Sequence, residues 1–307
     1  MATDFKGYLI EEFLEDYEEG SLQRREAIKL IVGVVGSAAI ADSLLAACTP
    51  APTNGAPVVP SATLGTGEPP ATEGDAAVAG EEITFPGRDA TLMAYHARPA
   101  AEGAFPAALV CHENRGLTEH IKDVTRRLAS AGYAALAVDL LTREGGTAAL
   151  DSSEIPGILG NTSPEQFVQD FVDGWEWLRS QEYVSPNSVV MTGFCFGGGV
   201  TWRVALGLPE LRAAVPFYGP HPAPEELQSV EAAVLAIYAD SDQRINQSIP
   251  QIEAAMKQYG KVYEKVIYDD TSHAFHNDTG PRYAAEAATD AWSRMLAWFD
   301  RYLNTGD

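Results

Sequence analysis

The stretch TGFCFGGG, residues 192–199, decides how this chain is read. It follows the apolar run SVVM and leads into a helical pattern beginning near Val200, so it occupies a strand-to-helix turn. Gly193-x-Cys195-x-Gly197 has the glycine spacing of a sharp turn that presents a nucleophile, where neighbouring backbone comes too close for side chains. A thiol stands where a hydroxyl is usual. The geometry puts Cys195 at the start of the following helix, whose dipole favours thiolate, and aims the backbone N–H of Phe196 where an oxyanion would form. The turn lacks the Lys-Ser/Thr ending of a P-loop and the G-x-G-x-x-G spacing of a dinucleotide site. The plain alternative is a buried cysteine in a glycine-rich turn.

Outward from this turn, short apolar runs alternate with helical patterns. EEITFPG and TLMAYHARP read as an opening antiparallel pair. AALVCH (107–112), AALAVDL (134–140), SVVMTGF (188–194), RAAVPFYG (212–219), AAVLAIYA (232–239) and VYEKVIYDD (262–270) read as further strands. Helical patterns fall near 117–131, 164–181, 198–207, 246–259 and 281–303. Alternation of this kind predicts an α/β fold whose mostly parallel twisted sheet is covered by helices on both faces. Ligands of such sheets bind beyond the C-terminal strand ends, and Glu113, Cys195, Asp242 and His273 each follow a strand.

A thiol nucleophile needs a base, and the base an orienting carboxylate. The chain order Cys195, Asp242, His273 is nucleophile, acid, histidine. His273, in DTSHAF, combines a late position with a loop after a strand; His112, His120 and His276 are read as surface or supporting residues. Asp242 is preferred to Asp240 because Ile245, three residues on, can anchor its loop. Tyr218 and His221, in PFYGPH, are candidates for lining the pocket, although a turn at Gly219 and Pro220 explains that segment equally well. HAFH offers two histidines without carboxylate or thiol partners, so no metal site is expected, and the chemistry requires no cofactor.

Residues 81–303 resemble the dienelactone hydrolase family, a cysteine-nucleophile branch of the α/β-hydrolases. The resemblance rests on GFCFGG around Cys195, DSDQRI with Asp242, SHAFHNDTGPRY with His273, and CHENRGLTEHIKDVTRRLASAGYAALAVDLL. It implies an α/β-hydrolase fold and a Cys195–His273–Asp242 triad acting on a small ester or lactone through a thioester. It further implies that Glu113 modulates the nucleophile, that the amides of Asn114 and Phe196 form the oxyanion hole, and that Arg143 binds substrate. The family's second substrate-binding arginine has no counterpart: four residues after His273 stands Asn277, and the nearest arginine is Arg282. Thiolates expel alkoxides poorly and amines worse, so enol and aryl esters are the expected substrates rather than amides. Cys111, at the end of the strand before Glu113, is a candidate disulfide partner for Cys195. The competing account is a non-catalytic exported lipoprotein that captures a small carboxylic acid.

The chain has 307 residues, 21 basic against 43 acidic side chains, and a formal charge of −22. That charge repels nucleic acid and anionic membrane surfaces, and no basic patch offsets it. Three scattered cysteines are too few for a disulfide framework or a zinc site. Oligomeric state is not legible.

Residues 1–48 read as an address. The acidic segment 1–20 carries Leu9, Ile10, Phe13, Leu14 and Tyr17 in helical rhythm. Arg24 and Arg25 then precede a moderately apolar stretch from Ile28 to Ala41, too short for a spanning helix. RREAIKL resembles a twin-arginine export signal, and Leu45-Ala46-Ala47-Cys48 resembles a lipobox with Cys48 as the lipidated residue. The expectation is an exported bacterial protein, periplasmic or anchored on the outer face of the cytoplasmic membrane through Cys48. The alternative is an amphipathic helical hairpin packed on the domain. Residues 49–80, rich in Pro, Ala, Gly and Thr, read as a flexible tether, and 81–307 as the catalytic domain.

Overall fold

The apolar runs pair as their patterning demands. A computed structural model of the chain describes residues 4–48 and 78–304. Its eight strands are β1 (Val78–Pro86), β2 (Thr91–Pro99), β3 (Phe105–Cys111), β4 (Ala134–Val138), β5 (Val184–Phe194), β6 (Leu211–Phe217), β7 (Ala233–Ala239) and β8 (Tyr263–Tyr268). They form one sheet in the order β1-β2-β4-β3-β5-β6-β7-β8. β1 and β2 pair antiparallel, β2 meets β4 antiparallel, and every later pairing is parallel. This is the α/β-hydrolase sheet. β4 and β7 are buried at every position, because central parallel strands are covered on both faces.

The helices are α1 (Phe5–Glu18), α2 (Arg24–Val35), α3 (Ala38–Ala46), α4 (Glu119–Ser130), α5 (Ile155–Asn161), α6 (Pro164–Arg179), α7 (Phe196–Gly207), α8 (Gln243–Asn246), α9 (Ile249–Gln258) and α10 (Ala285–Leu303). α6 starts at a Ser163 cap that accepts from the Gln166 N–H, with Pro164 at the first helical position where its missing donor costs nothing. Several boundaries differ from the sequence reading; β5, for one, begins at Val184 rather than 188. β1 begins at Val78, so residues 78–80 belong to the sheet rather than the tether, and the rest of the tether, 49–77, lies outside the described residues. Helix α10 begins at Ala285 rather than 281, because residues 276–284 make a succession of turns behind His273.

Residues 4–48 pack on the domain as three helices. α1 buries Phe5, Tyr8, Leu9, Phe13 and Tyr17 on one face, each fully buried apolar side chain contributing ~2 kcal/mol. α2 buries Ala27, Ile31 and Val34, and α3 buries Ala41 and Leu45. α2 crosses α5 where Gly33 faces Gly157, and a Cβ on Gly157 would run into the Gly33 backbone. Asn161 reinforces the crossing, donating to the Val34 carbonyl at 3.2 Å and accepting from Lys6 Nζ at 3.1 Å. Arg24 pairs with Asp42 at 2.6 Å. Cys48 is half-buried, its thiol 3.7 Å from the Leu44 carbonyl. Among the described residues no helix is long and apolar enough to cross a membrane.

Candidate active site

Neighbouring strands β3, β5, β6, β7 and β8 deliver Glu113, Cys195, Tyr218, Asp242 and His273 from their C-terminal ends, so one sheet edge collects residues from five separate loops. Cys195 caps α7 with φ 58° and ψ −123°, a conformation costly for a side-chain-bearing residue. The surrounding backbone enforces it. A Cβ at Gly193 would strike the Gly197 carbonyl and Thr201, and one at Gly197 would strike the carbonyls of His112 and Cys111. The Cys195 N–H donates to the Phe217 carbonyl at 3.1 Å, tying the turn to β6. Phe196 is the first residue of α7 and Asn114 lies in the loop after β3; both are buried.

His273 Nδ1 and Asp242 Oδ2 are 2.6 Å apart and buried. Asp242 Oδ1 accepts from the Ile245 N–H at 3.3 Å, and Ile245 is itself buried, so the loop is anchored at that residue. Asp240 is exposed. Burial opposes ionisation of Asp242, yet the facing His273 ring holds its carboxyl below the usual range. Burial likewise opposes charge on His273, and the Asp242 carboxylate overrides it, raising the imidazole well above its ordinary value. His273 Nε2 is buried without a hydrogen-bond partner. It faces the thiol: ligand-type atoms of Cys195, His273 and Glu12 all lie within 4.8 Å of one another. These three are the metal-ligand types clustered among the described residues.

Glu12 was not among the residues singled out from the sequence. It comes from α1, and its carboxylate accepts from Cys195 Sγ at 3.4 and 3.6 Å and from Asn114 Nδ2 at 2.9 Å. Tyr8 Oη lies 3.4 Å from the same sulfur. Burial pushes the Cys195 thiol up, Glu12 adds to the push, and His273 opposes it. An acidic residue inside the apolar stripe Phe5, Tyr8, Leu9, Phe13 was the available signal, since a carboxylate on a buried helix face requires a polar partner.

The remaining candidates divide. Glu113 is buried and accepts from Asn277 Nδ2 at 2.8 Å; the carboxylate hydrogen-bonded to the thiol is Glu12, while Glu113 acts on the sulfur only through its charge. Arg143 does not join the cluster. Its guanidinium is held by Asp170 at 2.9 Å and Asp89 at 2.6 Å, which ties its loop to α6. The arginines beside the site are Arg244, 3.1 Å from Glu15, and Arg282, paired with Asp16 and, at 3.2 Å, with Glu19. Tyr218 packs its ring 5.0 Å from that of His273, and its buried hydroxyl has no partner. His221 is taken up by Ser248 at 2.7 Å and Tyr238 at 2.8 Å, and burial pushes it down to about 4. His112, His120 and His276 are buried rather than on the surface; burial brings His276, stacked on Phe194, down to about 3. Cys111, Cys195 and Cys48 are all free thiols, so Cys111 and Cys195 are not bridged.

Residues 92–303 match the profile of the Dienelactone hydrolase family. A Methylorubrum extorquens protein named "Putative carboxymethylenebutenolidase" is 34% identical over 245 residues, covering 76% of this chain and 84% of that one. An Escherichia coli (strain K12) protein of the same name is 35% identical over 247 residues, covering 75% and 90%. The crystal structure of a "Putative Dienelactone Hydrolase" from Klebsiella pneumoniae superposes with a TM-score of 0.69 at 31% identity, covering 74% of this chain and 100% of that one. With a mostly parallel eight-stranded sheet and a strained Cys195 turn at its edge, the chain is a hydrolase of the α/β-hydrolase fold and belongs to the dienelactone hydrolase family.

Proposed function

We propose that the protein cleaves a small ester or lactone through a Cys195 thioester, with His273 as general base and Asp242 orienting it. The observation that carries this is the 2.6 Å Asp242–His273 pair, whose free Nε2 faces the thiol at the strained turn. In this reading His273 takes the thiol proton as sulfur attacks the carbonyl carbon, and the carbonyl pair moves onto oxygen. The Phe196 and Asn114 amides stabilise that oxyanion. Collapse forms the thioester and expels the leaving group, which takes the proton from His273. A water deprotonated by His273 then attacks the thioester, releasing the acid and regenerating the thiol. A sulfur nucleophile favours good leaving groups, so enol lactones and aryl esters are the proposed substrates.

No step calls on Arg143, whose partners Asp170 and Asp89 support a structural role. Residues 1–48 are proposed to serve additionally as an export leader, processed before Cys48 and leaving that residue to carry lipid. An N-terminal mass measurement on protein recovered from bacterial membranes tests this; an intact Met1 there contradicts it. The hydrolase reading is tested by a panel of chromogenic aryl esters and enol lactones. Turnover that disappears in Cys195→Ala supports it. Binding of the product acid with no turnover of any ester, even once the site is opened, favours a carboxylic-acid-binding protein instead.

A further inference from the structure

We infer that helix α1 is a tethered inhibitor of the Cys195 site, and that the chain with α1 docked is a latent form. The inference rests on the hydrolase reading only in naming what is inhibited; the occlusion itself stands on geometry.

The inhibitory contact has the chemistry of a product. Hydrolysis of a thioester at Cys195 leaves a carboxylate beside the sulfur and within reach of His273. Glu12 puts a carboxylate there already: its oxygens are 3.4 and 3.6 Å from Sγ, and Oε1 is 3.9 Å from His273 Nε2. Oε1 also takes the side-chain N–H of Asn114. Tyr8 closes the other approach, its hydroxyl on the sulfur and its ring under the Arg244 guanidinium at 4.5 Å. Cys195 is consequently 3% exposed. Between α1, Ser241, Asp242, His273 and Arg282 remains a cavity of about 10 Å³, no larger than one water and too small for any ester.

The plug is held by two kinds of contact. Phe5 inserts between Phe196 and Phe167, with ring centroids 4.8 and 5.7 Å away, so the residue next to the nucleophile is itself part of the seat. Glu15 and Asp16 pair with Arg244 and Arg282 of the domain. The docked state also carries a cost that release removes: Arg244 Nη1 and Nη2 are buried without hydrogen-bond partners. A helix that was only a structural buttress would have no reason to place a carboxylate on a buried face against a thiol. Because α1 belongs to the segment that reads as an export leader, its removal would open the site and release the arginines together.

The test uses the full chain and alters α1 alone. Glu15→Lys with Asp16→Lys sets like charges against Arg244 and Arg282 and leaves every domain residue unchanged. Two readouts are taken: iodoacetamide labelling of Cys195, read on its peptide by mass spectrometry, and aryl ester hydrolysis. Far-UV circular dichroism checks that the sheet is retained, and Leu9→Asp, which unseats α1 through a fully buried position, serves as a second variant. Displacement predicts a rise of at least about tenfold in both rates, as expected when a dominant closed population gives way to an open one. Equal labelling of Cys195 in wild type and both variants overturns the occlusion, whatever the esters do. Faster labelling with slower hydrolysis overturns the inhibitory role, because α1 would then be a part of the working site. Faster labelling with no ester turned over in any form leaves occlusion standing and removes the hydrolase reading.

Discussion

The turn that carries Cys195 and the helix that covers it encode position in opposite ways. At the turn, Gly193 and Gly197 flank Cys195 in sequence, so the spacing is visible locally, although a Cβ on Gly197 would strike the His112 and Cys111 carbonyls at the end of β3. Glu12 reaches the same sulfur from 183 residues away, and nothing in its immediate sequence names a partner. The glycine spacing therefore announces a sharp strand-to-helix turn, whereas the helix over it shows itself only once the whole domain is folded. The turn is woven into β6 through the Cys195 N–H, whereas α1 is held to the domain by side-chain contacts, aromatic packing and ion pairs among them.

Perturbing each region separately sharpens this contrast. The largest effect is expected at the turn: Cys195→Ala should lower ester hydrolysis by at least ~10³-fold, measured as kcat/KM in a variant whose α1 is displaced. Asp242→Asn should follow, costing roughly 10²–10⁴-fold in kcat with little change in KM, because the imidazole loses its orienting anion. A drop confined to KM would assign Asp242 to binding instead. Gly197→Ala should destabilise the domain by ~2 kcal/mol, lowering its thermal midpoint by roughly 4–8 °C, since the clash is with backbone that cannot step aside. At the helix, Gly157→Val should leave that midpoint nearly unchanged but lift α2 from α5 and accelerate Cys195 labelling. A fall as large as that of Gly197→Ala would show that helices α1–α3 are integral to the core.

The smallest effects concern protons. Burial first, and then the Glu12 charge, raise the Cys195 thiol, so Glu12→Gln should move the labelling midpoint to lower pH. The Asp242–His273 pair acts on stability in both directions. The folded Asp242 carboxyl lies below its unfolded value, so its contribution is present above about pH 4 and fades as pH falls through the folded value. The folded His273 lies above its unfolded value, so its contribution is complete below about pH 6.5 and fades as pH rises through the folded value. Thermal midpoints across pH should thus fall on both limbs, and Asp242→Asn should flatten both; unchanged limbs would mean other groups control them.

Much of the sheet was legible because its central strands are short apolar runs bounded by polar turns, as in AALAV of β4 and AVLAIYA of β7. The loops after those strands placed Cys195, Asp242 and His273 on one edge for the same reason. Helix α5 was missed because IPGILGN has the composition of a turn, and α2 packing on it supplies what its propensity lacks. The Arg143 assignment came from matching a motif, and a motif does not report that Asp170 and Asp89 stand beside it in this fold. Glu12 was hidden by composition, as one carboxylate among many in an acidic segment. Only its place between buried Leu9 and Phe13 set it apart.

The central claim is that Cys195 sulfur carries the acyl group during turnover. A slow aryl ester mixed with the α1-displaced chain, quenched in acid and digested, tests it by the mass of the peptide holding residue 195. The account predicts that this peptide gains one acyl group, and that the label vanishes in Cys195→Ala. Steady release of the phenol with an unmodified Cys195 peptide at every quench time would contradict it.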